Sequence, residues 1–483
     1  MMGAHGPICP PSAGPAEVDN ARGTKHLFSS QNRAILPSSG PPLGECRGIS
    51  LSRVRGSPPV TRFVQQSLGQ AGKPAHCALL KASLGPRYSA VQCALKGLKL
   101  GPIMHRMKFP PFFEALDRLI RAKGGACNAH LHIDRAGTYD ETVRLLQARG
   151  VRDGANATLA GKHSMIPMIH ASPLYDRASL IERVSFYLDA MIEVGTTRAD
   201  SVVDVTLDRV GVTALDTLMD LSAQYAGHID FRLGAYSPLG FRDDEPQRWA
   251  LLETAAERAH FVGILPERDD RADYPDHIGF AECCRRGLAL AARQGKDLHI
   301  HVDQVNHPQE CGGELVARLV REMGLGRGAG QTPFVWLIHF ISPSTYPEPQ
   351  FRALVEDLAL LGIGVICCPS AAISMRQLRP LSAPGFNCIA RVLDLLDMGV
   401  QVRIGSDNVC DITSPMGTPD LVQEVFVLAN ALRIYDLEIL ARIAAGQPLD
   451  TAERARLRAH LDEDAAAVDL LMEKHRQPRP TEG

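Results

Sequence analysis

From about residue 105 onward, short β-branched runs alternate with longer segments whose apolar residues recur every three and four positions. The short runs are "CNAHLHI", "SVVDVTL", "IDFRLGAYS", "FVGILPE", "DLHIHVD", "FVWLIHF", "GIGVICCPS" and "VQVRIGSD". Between them lie helical patterns such as "VTALDTLMDLSAQY", "GFAECCRRGLALAARQ" and "PQFRALVEDLALLG". Strands alternating with helices of that length build βαβ units and a parallel sheet. Eight such strands, mostly about 27–40 residues apart, predict a (β/α)8 TIM barrel. The first gap is longer than the others, and the sequence predicts extra helices there, over residues 139–195. No all-β segment flanks the pattern, so a barrel without a companion β-sandwich is expected. The barrel is expected over 106–470, followed by a frayed tail over 471–483.

The first hundred residues have neither a period of two nor one of 3.6. "GPICPPSAGPAEV", "ILPSSGPPLGE" and "RGSPPVTR" are rich in Pro, Gly and Ser, and Met1–Gly101 carries 12 Lys/Arg against three acids. Residues 1–105 are therefore expected to be a low-complexity, disordered leader, or a start placed upstream of Met104 or Met107. An Arg- and Ser-rich, acid-poor leader also fits organellar import. Elsewhere the composition is ordinary: 483 residues, 45% hydrophobic, 22% charged, formal net charge −2. That balance gives no sign of nucleic acid or an anionic membrane as partner, and no apolar run is long enough to span a bilayer. The 12 cysteines, with the adjacent pairs Cys283–Cys284 and Cys367–Cys368, fit neither a disulfide framework nor a zinc knuckle. Free thiols in a reducing cytoplasm are expected. The expected partner is a small-molecule substrate, with a homo-oligomer left open.

In such a barrel the reaction site forms at the C-terminal ends of the strands. Strand one ends in His130 and His132, strand five in His299, His301 and Asp303, strand six in His339, and strand eight in Ser406, Asp407 and Asn408. Alternate strand residues share a face, so His130 and His132 can reach one ion. A divalent cation needs nitrogen and oxygen donors arriving from several directions at about 2.0–2.2 Å. Two histidines from strand one, one from strand five and a carboxylate from neighbouring strand eight would supply them. His299 and His301 have the same parity, and nearness to the strand end favours His301. Each piece has a plain alternative: a half-buried HxH, or Asp407 as an N-cap. The combination of strands one, five, six and eight makes the pattern specific.

Over about residues 125–440 the chain resembles the amidohydrolase superfamily, and within it the cytosine deaminase branch. The resemblance is carried by "HLHID", "HVDQ", "LIHFIS", "GSDNVCDITSPMGT" and "TTRADSVVDV". It implies that His130, His132, His301 and Asp407 hold one divalent metal, zinc or iron, with His339 assisting catalysis. Arg198, at the start of strand two, and Asn408 would contact substrate. The implied chemistry is hydrolysis of a non-peptide C–N bond, with deamination of an amino-substituted heterocycle the leading case. A divalent ion lowers the pKa of a bound water toward 7, which makes a hydroxide available to attack. Asp407 can take the proton and His339 can polarise the developing centre.

The chain departs from that branch at Gln304, where the family has a proton-shuttling glutamate. An amide hydrogen-bonds but does not carry a proton. The branch's substrate-binding glutamine falls at Pro238, and the second strand-eight aspartate is Asn408. Glu267, Asp303 or Glu314 could supply the missing carboxylate, and Gln304 and Glu267 are expected among the substrate contacts. Two further readings remain open: an amidase for acyclic or cyclic amides, which Gln304 favours because no ring nitrogen needs a proton, and a binding barrel without turnover.

Overall fold

Eight parallel strands hydrogen-bond in chain order, β1-β2-β3-β4-β5-β6-β7-β8. They are β1 (Ala126–Leu131), β2 (Thr196–Asp204), β3 (Asp230–Tyr236), β4 (Phe261–Ile264), β5 (Asp297–Val302), β6 (Val335–His339), β7 (Gly364–Cys367) and β8 (Val402–Ile404). The computed structural model describes residues 111–151, 154–375 and 389–476. The leader expected over 1–105 lies outside the described residues, as do residues 477–483 of the expected tail. A parallel bridge between Leu131 and Asp407 joins the first strand to the end of the eighth. The chain is thus a (β/α)8 barrel, as its pattern predicts, and no second sheet occurs among the described residues.

Helices cover the strands: α1 (Pro111–Ala122), α2 (Tyr139–Gln147), α3 (Leu159–His163), α4 (Ile166–His170), α5 (Arg177–Glu193), α6 (Thr213–Gln224), α7 (Gln247–Arg258) and α8 (Phe280–Gln294). Then come α9 (Gly312–Glu322), α10 (Glu348–Leu361), α11 (Pro369–Ile373), α12 (Val392–Asp397), α13 (Leu421–Leu432), α14 (Leu437–Ala444) and α15 (Thr451–Arg476). The expected extra helices between the first two strands are α2 to α5. The last helix runs to Arg476, so residues 471–476, expected to be frayed, are helical.

The core lies between the strands and this outer ring. In α5 the buried residues Leu180, Val184, Leu188 and Met191 recur at four, four and three positions, one stripe turned toward the barrel. Each such side chain contributes about 1.5–3 kcal/mol by leaving water. The strands, buried on both faces, are nearly continuous apolar runs, as in β4 and β7. No helix among the described residues is long and apolar enough to cross a membrane.

Candidate metal centre

Three strands end in a residue that leaves the pleat. Asp303 after β5, His339 at the end of β6 and Asp407 after β8 have positive φ of 58°, 74° and 57°. Non-glycine residues reach that region at a cost of order 1 kcal/mol or more, and such conformations gather at functional sites. At β8 the reason is visible in the backbone. The Asp407 N–H donates to the His130 carbonyl at 3.0 Å, and the His132 N–H donates to the Asp407 carbonyl at 3.1 Å. The two histidines at the end of β1 and the aspartate after β8 are therefore fixed against each other by main-chain bonds. Asn128 adds a second tie: its Nδ2 donates to Ser406 Oγ at 2.8 Å, and its Oδ1 accepts from Ser406 N at 3.0 Å.

The side chains converge. His130, His132 and His301 each present a ligand atom within 4.8 Å of the others. His130 Nε2 and His301 Nε2 lie 3.1 Å apart. Asp407 Oδ1 lies 3.7 Å from His130 Nε2 and 3.4 Å from His132 Nε2. All four side chains are buried. His301 Nδ1 is 3.1 Å from the Ile264 carbonyl, an acceptor, so it carries the proton and Nε2 turns its lone pair to the cluster. Burial drives His130 and His132 well below the ordinary histidine range and takes His301 down to about 4. They are neutral, the form that ligates metals. Burial, reinforced by Asp411, pushes the Asp407 carboxyl up to about 7. Its cluster partners are therefore uncharged rings, and two imidazole nitrogens face each other at hydrogen-bond distance. A divalent cation among these donors would compensate the carboxylate and both lone pairs, so the residues present fit one metal ion.

His339 sits beside the cluster, its ring centre 5.6 Å from that of His301 and 6.2 Å from that of His130. His299, the same-parity alternative, lies deeper: its ring packs on Phe261 with centres 4.3 Å apart, and 6.2 Å separates it from His130. Gln304 Nε2 donates to Glu267 Oε2 at 2.7 Å, which joins two of the expected substrate residues at the adjoining ends of β4 and β5. Burial raises the Glu267 carboxyl well above the carboxylate range, and Glu310 and Asp303 add to that.

Two expected substrate contacts are engaged elsewhere in the protein. Arg198 lies at the start of β2, at the end of the barrel away from the strand termini, where Nε and Nη2 grip Asp200 at 2.9 and 2.7 Å. A strand's beginning and end are at opposite faces of the barrel, which corrects the placement of Arg198 at the substrate. Asn408 is next to Asp407, but its Nδ2 donates to Asp411 Oδ2 at 2.5 Å. Asp411 also accepts from the Thr413 and Ser414 N–H groups at 2.8 and 2.9 Å, so Asn408 braces the loop after β8.

The other carboxylate candidates also have structural duties. Asp303 accepts from the Gly312 and Gly313 N–H groups at 2.7 and 2.8 Å and anchors the start of α9. Glu314 accepts from Gln350 Nε2 at 3.0 Å.

Several residues near the cluster were not anticipated. Tyr236 ends β3 with its ring centre 5.5 Å from His132 and 5.3 Å from His301. In sequence it reads as one more apolar strand residue. Arg135 follows the HxH and forms a buried bidentate pair with Asp204, Nε at 3.0 Å and Nη2 at 2.6 Å. Asp204 also accepts from the Tyr175 hydroxyl at 2.8 Å and meets His170 Nε2 at 3.0 Å. For Arg135, His170 and Tyr175 the signal is the long gap after β1, since a segment that follows a strand starts at the C-terminal face of the barrel.

No protein-family profile matches the chain. It is 26% identical over 265 residues to an uncharacterized protein of Haemophilus influenzae, across 54% of this chain and 86% of that one. Among solved structures it is similar to 5-methylcytosine deaminase from Klebsiella pneumoniae liganded with 5-fluorocytosine. That match has a TM-score of 0.57 and 22% identity, and covers 69% of this chain and 74% of that chain. It is also similar to N-isopropylammelide isopropylaminohydrolase from Burkholderia multivorans, with a TM-score of 0.50, 20% identity and the same coverage. At these identities the likeness establishes a shared barrel fold.

Proposed function

We propose that this protein is a metal-dependent amidohydrolase that cleaves a non-peptide C–N bond, most plainly as a deaminase of an amino-substituted heterocycle. The observation that carries the proposal is the convergence of His130, His132, His301 and Asp407 at the strand ends, with His339 beside them. Solved structures that share the fold include a 5-methylcytosine deaminase and an N-isopropylammelide isopropylaminohydrolase. That agrees with the motif resemblance. One divalent ion, zinc or iron, held by the four donors would supply an activated water and electrophilic polarisation at neutral pH.

The chain's own residues do the rest. Asp407 accepts a proton at its carboxylate from the attacking water and returns it to the departing nitrogen. His339 hydrogen-bonds the oxygen on which negative charge gathers. Gln304 orients the substrate through its amide and holds Glu267 beside it, so the pair forms one polar wall of the site. A small molecule is the expected substrate.

The test is ammonia release by the metal-loaded full chain over purine, pyrimidine, pterin and triazine amines, with linear and cyclic amides in parallel. Ammonia from at least one ring amine is the expected result. Silence on every ring together with turnover of amides would replace deamination by amide hydrolysis. Silence on both would remove the hydrolase reading.

A further inference from the structure

A metal-ligating histidine ordinarily donates the N–H of its other ring nitrogen to a carbonyl or carboxylate, and that bond fixes the plane of the ring. His301 has such a partner in the Ile264 carbonyl. His132 has none: its Nε2 is turned toward Asp407, and its Nδ1 is buried without a hydrogen-bond partner among the described residues. His130 Nδ1 is in the same condition, but His130 lies within β1 with the rings of His299, His301 and His339 around it. His132 follows the last residue of that strand, Leu131. The ring beside it that is not a histidine belongs to Tyr236.

Tyr236 closes β3 and is buried. Its ring centre lies 5.5 Å from that of His132, with the planes at 68°, and 5.3 Å from that of His301, with the planes at 43°. Ring pairs at such separations attract beyond the area they bury, and the steeper pair meets edge to face. The phenol ring is itself held. It packs with Val202, Phe261 and Leu265 in a small cluster apart from the main core. Gly263, its partner across β3 and β4, lets the strands close on it: a Cβ there would stand 3.3 Å from Tyr236 Cδ2 and 2.7 Å from Val202 Cγ1. A ring packed this closely moves only with its neighbours.

We propose that Tyr236 is a positioning residue of the metal centre, its ring setting the plane of His132, and to a lesser degree that of His301, so that both Nε2 atoms face the ion. The role rests on the metal reading above. It belongs to the ring and not to the hydroxyl, and it stands where a hydrogen-bond acceptor for His132 Nδ1 would otherwise serve. His301 keeps the Ile264 carbonyl, so loss of the ring is felt mainly at His132. Groups that orient metal ligands change metal affinity about 10- to 100-fold when removed.

Cobalt(II), whose visible absorption reports the geometry of its ligands, is loaded into the full chain. Its affinity is measured by competition with a chelator, and the melting temperature alongside. Wild type is compared with Tyr236→Phe, Tyr236→Leu and Phe231→Leu. Phe231 lies on the same strand at odd spacing, so it faces the opposite way and is buried in the main core. That variant shows what lost packing alone does. Tyr236→Phe keeps the ring and should match wild type in spectrum and affinity. Tyr236→Leu should bind cobalt about tenfold more weakly or worse, with an altered spectrum. Phe231→Leu should melt at a lower temperature and keep both. Tyr236→Ile, β-branched as strands prefer, takes the place of the Leu variant if that one does not fold. Wild-type spectrum and affinity in the ring-free variant overturn the proposal. So does an equal change in Phe231→Leu, or an equal loss in Tyr236→Phe, which would give the role to the hydroxyl. A wild-type chain that takes up no cobalt fails the metal reading itself and the proposal with it, whereas the other outcomes leave that reading standing.

Discussion

Gly405 shows how closely the centre is built around individual atoms. A Cβ at that position would lie 2.7 Å from both the nitrogen and the carbonyl oxygen of His130, and 2.9 Å from its Cβ. These are mainly backbone contacts between β8 and β1, so neither side can yield by a change of rotamer. Gly405→Ala should separate the two strands at the point where Asp407 meets His130 and His132. Zinc affinity is expected to fall at least tenfold, read by competition with a chelator, and the melting temperature to drop by several degrees. Wild-type zinc affinity in that variant would mean that the strand ends are looser than the bonds between Asp407 and β1 imply. At the same scale, Asp303 illustrates how a residue's type can mislead. Its place beside His301 suggests chemistry, but both oxygens are taken by the first N–H groups of α9.

The β1–β2 insertion carries α2 to α5. Its docking runs through polar groups that no periodicity reveals. Arg183, on α5, donates to the carbonyls of Asp134, Ala136 and Leu174 at 3.1, 2.6 and 2.7 Å, fastening the turn after β1 to the insertion. His170, at the end of α4, stands between Asp208 at 2.6 Å and Asp204 at 3.0 Å, with Tyr175 and Arg135 on the same carboxylate cluster. Burial opposes charge on His170, but the two carboxylates outweigh it and push the imidazole up to about 9. The folded value lies above the ordinary 6.5 or so of an unfolded chain. The stabilisation is therefore complete below about pH 6.5 and is lost as pH rises toward 9. At roughly 1.4 kcal/mol per pKa unit, this amounts to about 3 kcal/mol at most. His170→Gln should melt a few degrees below wild type at pH 6, with the difference shrinking by pH 9.5. A difference that stays constant across that range would show that His170 is neutral in the folded protein.

For the molecule as a whole, the pattern of apolar runs was sufficient for the architecture: every quoted run overlaps one of the eight strands, in order, and the long first gap holds α2 to α5. This worked because a parallel strand buried on both faces and an amphipathic helix leave different periods in a sequence. The residues that converge at the candidate metal centre were legible for a related reason. His130, His132, His301 and Asp407 all fall at strand ends, and the strand count gives their neighbours around the barrel. Arg198 was assigned to substrate by motif resemblance alone, although its position at the start of β2 puts it at the opposite end of the barrel from the strand termini. The Gln304–Glu267 contact was beyond sequence reasoning, since it depends on how the ends of two strands meet. The central claim is that four donors from three strands hold one divalent ion, and elemental analysis of the purified full chain tests it most directly. The account predicts about one zinc or iron per chain, lost in both His130→Ala and Asp407→Ala while each variant still folds. A native protein with no stoichiometric metal, reloaded by neither zinc nor iron, would contradict it.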